Sequence, residues 1–70
     1  MNNSFLTPRE IEIFNYLVNN MTTKEIAKKL GISDKTVRNH VSNVILKLDV
    51  KNRCAAIIEL VRLKLLAINE

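Results

Sequence analysis

The only glycine in this chain of 70 residues, Gly31, stands between two segments of helical periodicity. Glycine takes the left-handed backbone conformation at little steric cost, so a single one can stop a helix and redirect the chain. Before it, Thr22 to Leu30 carries Ile26, Ala27 and Leu30 on one narrow apolar face. After it, Ser33 to Leu48 carries Val37, Val41, Val44 and Leu48 on one side. At about 100° per residue, Lys35, Arg38, Asn39 and Ser42 fall on the opposite side. The stretch is therefore predicted to be two helices around a tight turn, the second with one face packed and one face left over.

The flanks repeat a common grammar of helix starts. Thr7 is a strong N-cap, Pro8 suits the first helical position, and Glu10 completes a capping box. Leu6 and Ile11 occupy the two hydrophobic-staple positions. Ile11, Phe14, Leu17 and Val18 then follow at helical spacing as expected core, with Tyr16 on the other side as a surface ring. Asn19 and Asn20 end the helix. Thr22 and Glu25 form a second capping box, stapled by Met21 and Ile26; Ser33 caps a third helix, stapled by Ile32 and Val37. Asp49 stands where glycine would end that helix, and Asn52 caps a fourth. The expected architecture is all-α, one domain over residues 1–70. Its helices are read at about 8–19, 23–30, 34–48 and 53–66, after a frayed Met1–Phe5.

The fourth helix is more apolar than one core face requires. Ala56, Ile57, Leu60 and Leu63 or Lys64 make one stripe; Cys54, Ile58, Val61 and Leu65 make another. A chain this short buries only about 60% of its unfolded surface. Domains of this size often rely on a disulfide, a metal or a second subunit. Cys54 is the only cysteine, so it has no internal disulfide partner and no cysteine pair to bind zinc. The second stripe is thus read as a homodimer interface. A lone thiol also fits a reducing, cytoplasmic setting.

Charge is concentrated. Thr22 to Arg53 holds eight of the eleven lysines and arginines against three acids, whereas the chain as a whole carries +4. A basic region confined to the paired helices is the footprint of phosphate contact. No apolar run approaches a membrane span, and no signal peptide is recognisable. An enzyme is poorly supported: His40 is the only histidine, without a recognisable serine or carboxylate partner, and there is no glycine-rich phosphate loop. No cofactor or metal is implied. Cys54 reads as a small apolar residue.

Two helices around a glycine-containing turn form a helix-turn-helix, whose second helix enters the DNA major groove. On that helix Arg38 has the donors for guanine O6 and N7, and Asn39 can pair with adenine N6 and N7. Ser42, one turn on, either contacts a base or leaves room. Lys35 at the first turn suits a phosphate, beside the helix's own N–H groups. His40 flanks this face and is equally suited to a phosphate or to a hydrogen bond within the protein.

The words LTPREIEIFNYL, then TTKEIAKKLGISDKTVRNHVSNVILKL, then V-x-x-R before a fourth amphipathic helix, resemble the LuxR/GerE-type helix-turn-helix domain of bacterial transcription factors. The resemblance covers about Leu6 to Leu66. It implies a four-helix bundle whose third helix reads DNA through Arg38, Asn39 and Ser42 and whose fourth contacts a second copy. It assigns phosphate positions to Thr23, Lys24, Lys35, Thr36 and Lys47. Family members often carry Lys or Arg where Ser42 stands, which implies a different preferred site. The chain is expected to be a stand-alone regulator or the C-terminal domain of a larger one. A stand-alone chain would have no receiver or ligand-binding domain, leaving control to abundance or a partner protein. Two rivals stay open. The C-terminal domain of RNA polymerase sigma factors shares the LTPRE and EIA-x-x-L-G-I-S words and would act within RNA polymerase. A helical protein-binding module would keep the fold without DNA affinity.

Overall fold

Each helix begins on the side chain that the sequence offers for it. The computed structural model describes residues 6–66. Among them are four helices and no strand: α1 Pro8–Val18, α2 Thr23–Leu30, α3 Asp34–Leu48 and α4 Arg53–Arg62. Met1–Phe5, expected as a frayed end, lie outside the described residues. Thr7 Oγ1 accepts from the Glu10 N–H at 3.1 Å, and the Thr7 N–H donates to Glu10 Oε1 at 2.9 Å. Thr22 and Glu25 reproduce this reciprocal cap at 3.1 and 2.8 Å. Ser33 Oγ accepts from the Thr36 N–H, and Asn52 Oδ1 from the Ala55 N–H. Each cap satisfies donors that an isolated helix start leaves unpaired.

All four helices end in one type of turn. The left-handed residues are Asn20, Gly31, Asp49 and Lys64, with φ between 56° and 74°. In each turn the following N–H returns to a carbonyl five residues back: Met21 to Tyr16, Ile32 to Ala27, Val50 to Ile45 and Leu65 to Leu60. This is the Schellman arrangement. It shortens the last helix relative to its sequence pattern. α4 stops at Arg62, because Lys64 reverses the chain and returns Leu66 to the core, where it is 6% exposed.

The core gathers one face from every helix. Ile13 and Phe14 of α1, Ile26 of α2, Val37 and Val44 of α3, and Ala56 and Leu60 of α4 are wholly buried. Ala27, with no side chain beyond Cβ, is buried between α2 and its neighbours. On α1 the buried stripe is rotated from the expected one. Ile13 is central, whereas Ile11, Leu17 and Val18 are half-buried, and Tyr16 packs on the core edge with Lys29 over its ring. The rotation brings Glu10 inward, to 3% exposure. Its carboxylate is compensated there: Lys47 Nζ donates to Oε1 at 2.9 Å and Oε2 at 3.1 Å. Burial alone would raise the Glu10 pKa, but the Thr7 N–H, the Lys47 ammonium and, more weakly, His40 outweigh it and hold the carboxyl below its ordinary value. The ion pair braces the start of α1 against the end of α3.

Candidate nucleic-acid interface

The two sides of α3 have opposite fates. Val37, Val41 and Val44 are buried, and Leu48 is half-buried. Lys35, Arg38, Asn39 and Ser42 are exposed, as is Asn43. Thus one continuous polar stripe, i, i+3, i+4 and i+7, stands clear along a helix whose back is fixed in the core. Leu46 extends the stripe towards the C-terminal end and is 77% exposed. The first turn adds the N–H groups and positive end of the helix dipole beside Lys35.

Of the other expected DNA contacts, Lys24 is exposed on the first turn of α2, next to half-buried Thr23. Thr36 is half-buried, with its hydroxyl 2.8 Å from Ser33 Oγ. Two further positions face α1. Lys47 is exposed, but its ammonium is turned to Glu10, so it also acts as a strut between helices. His40 is half-buried, on the side of α3 near Glu10.

Arg53, which the sequence marked as part of the basic stretch and as the Arg of V-x-x-R, has a more definite position. At the first residue of α4 it lines a groove of about 380 Å³ with Thr22 and Thr23, at the start of α2, and with Cys54. Its place in V-x-x-R, directly after the cap Asn52, was the available signal. A larger apolar groove, about 640 Å³, runs along α1 between Leu6, Pro8, Ile11, Glu12, Asn15 and Tyr16 and includes no residue of α3. Among the described residues, no three His, Cys, Asp or Glu side chains are grouped to hold a metal ion. No described helix is long and apolar enough to cross a membrane.

The expected pairing stripe is divided. Cys54 and Ile58 are exposed, Ile58 at 68%, whereas Val61 and Leu65 are half-buried against the chain's own core. Leu65 follows the turn at Lys64 and so does not continue the helical stripe.

This geometry meets a family model described as bacterial regulatory proteins, luxR family, which matches residues 4–60. The chain belongs to the LuxR family. It is similar to the spore germination protein GerE of Bacillus subtilis (strain 168), with 59% identity over 58 residues, covering 83% of this chain and 78% of GerE. The transcriptional regulatory protein LnrK of the same organism is 53% identical over 57 residues, 81% of this chain but 26% of LnrK. Among solved structures, that of the transcription factor GerE has a TM-score of 0.92 at 54% identity and covers 96% of this chain and 100% of that one. The response regulator ChrA of a heme-sensing two-component system has a TM-score of 0.81 at 37% identity, covering 93% of this chain and 32% of ChrA. This LuxR domain thus spans most of GerE and about a quarter to a third of the longer regulators. It is a DNA-binding transcription regulator's domain, from a family of regulators rather than of enzymes.

Proposed function

We propose that this LuxR-family chain recognises a specific duplex sequence as a homodimer, with α3 in the major groove. Arg38, Asn39 and Ser42 read base edges; Lys35, Lys24, Thr23 and Thr36 hold the phosphates. The observation that carries this reading is the exposed stripe Lys35, Arg38, Asn39 and Ser42 on a helix whose opposite valines are buried. The residue types match what a major groove offers: a two-donor fork for guanine and an amide for adenine. Arg53, beside Thr22 and Thr23, is added to the phosphate set. Lys47 is assigned to the Glu10 brace instead, and His40 to the flank of the interface. The compartment is the cytoplasm, where the duplex is.

The pairing surface is assigned to the exposed part of α4, Cys54 and Ile58, with Val61 at its edge. Two copies would set their recognition helices about 34 Å apart, in successive major grooves of an inverted repeat. Selection of bound sites from a random duplex pool tests the whole reading. A two-fold symmetric motif with half-sites one helical turn apart is expected. Absence of any selected motif would sink sequence-specific recognition, and a single unpaired half-site would sink the dimer. In a shift assay on the selected site, Arg38→Ala is expected to cost about 1–3 kcal/mol and to relax preference at one base pair.

A further inference from the structure

The recognition stripe contains an ion pair within α3. Arg38 Nε lies 3.3 Å from Asp34 Oδ2, one helical turn back. The two partners are unequally placed: the Arg38 side chain is 65% exposed and that of Asp34 28%. The second Asp34 oxygen, Oδ1, is buried without a hydrogen-bond partner. The carboxylate is therefore seated against the protein, and the guanidinium projects from it. A guanidinium has one Nε–H and two terminal amino groups. The pair occupies the Nε side, and the terminal donors extend beyond it. A guanine edge accepts two parallel hydrogen bonds, at O6 and N7.

We propose that Asp34 is a positioning and specificity-determining residue, which holds Arg38 through Nε so that its terminal amino groups meet guanine end-on. The proposal rests on the reading of Arg38 as a base contact. In free protein a pair this exposed is weak. In a groove from which water is displaced, the lower effective dielectric strengthens it. Asp34 also acts against wrong sites. If Arg38 turned to a phosphate, it would leave a carboxylate unpaired beside a polyanion. The acid thus lowers affinity for duplexes that lack guanine at this position.

The test compares wild type, Asp34→Asn, Asp34→Ala and Arg38→Ala in selection from a random duplex pool, followed by affinities for the selected site and for its variants at each base pair. The readout is a ratio between sequences, so it does not depend on the folded fraction of a variant. Both Asp34 variants are expected to bind random duplex more tightly relative to the selected site. They should lose threefold or more of the preference at the base pair where Arg38→Ala loses it, out of the roughly 5- to 150-fold that a bidentate pair supplies. Preferences elsewhere in the site should persist. Wild-type preference at that base pair in both Asp34 variants, with loss in Arg38→Ala, would overturn the role of Asp34 and leave the Arg38 reading standing. An unchanged profile in Arg38→Ala would overturn that reading and this proposal with it.

Discussion

Glu10 serves two structures at once. Its carboxylate closes the cap of α1 and receives the Lys47 ammonium from the far end of α3. The cap was legible in the sequence, because its partner is three residues away. The ion pair was not, because Lys47 is 37 residues away and no local pattern joins them. The same residue explains the rotated core of α1. A glutamate reads as surface, so the sequence pattern places the stripe on Ile11, Phe14, Leu17 and Val18, whereas the folded helix centres it on Glu10, Ile13 and Phe14. Because folding lowers the Glu10 pKa, the folded state releases its proton more readily than the unfolded one. The resulting stability is complete above the unfolded glutamate pKa, about 4.3, and is lost as pH falls through the lower folded value. Glu10→Gln is expected to flatten that acid-side loss in urea melts taken from pH 3 to 6. It should also cost about 1–2 kcal/mol at neutral pH, the modest value reflecting the partly exposed lysine. An unchanged pH profile would remove Glu10 from this role.

The ends of the helices, more than their middles, separate pattern from structure. Starts were readable because Thr7, Thr22, Ser33 and Asn52 act through side chains that favour caps. The stop at Gly31 was readable for the same kind of reason. The stop after Arg62 was not, because Lys64 is an ordinary helix former and Leu63 and Leu65 look like continuations of the two apolar stripes. Burial of Leu66 and the returning N–H of Leu65 outweigh the local preference. A left-handed conformation costs a residue with a Cβ about 1–2 kcal/mol. Part of this should be recoverable. Lys64→Gly and Asp49→Gly are each expected to raise the unfolding free energy by about 0.5–1 kcal/mol, net of the added chain entropy. Denaturant midpoints measure it, and a decrease at either site would show that the native side chain stabilises the turn. The exposed polar stripe of α3 was legible for a simpler reason: the helix keeps its period from end to end, so burying its valines leaves the polar residues outside.

For the whole molecule, the apolar excess of α4 raises the matter of what covers its second stripe. The chain itself covers part of it, at Val61 and Leu65, and leaves Ile58 outside. Ile58→Glu therefore separates assembly from folding better than a change at Val61 would. It is expected to leave the helical circular dichroism intact and to shift sedimentation equilibrium from dimer to monomer. Affinity for a two-half-site duplex should fall about 100-fold or more, the gain that linkage of two binding units typically supplies. An Ile58→Glu protein that still sediments as a dimer would move the interface elsewhere. Charge is tested at this scale too. Lys24→Ala and Lys35→Ala are each expected to weaken all duplexes alike and to reduce the slope of log affinity against log salt by about 0.9 for each phosphate that is no longer neutralised. A slope equal to wild type would take that lysine out of the phosphate set.

The connections at 19–22, 31–33 and 49–52 are short, and each is closed by hydrogen bonds between residues nearly adjacent in sequence. Helical proteins dominated by such local contacts reach the native state in about microseconds to milliseconds. If the domain pairs as proposed, each copy would be native long before it met a second by diffusion at low concentration. On that proposal, the time needed to occupy a paired site would be set by encounter rather than by folding, and would shorten as the concentration rises.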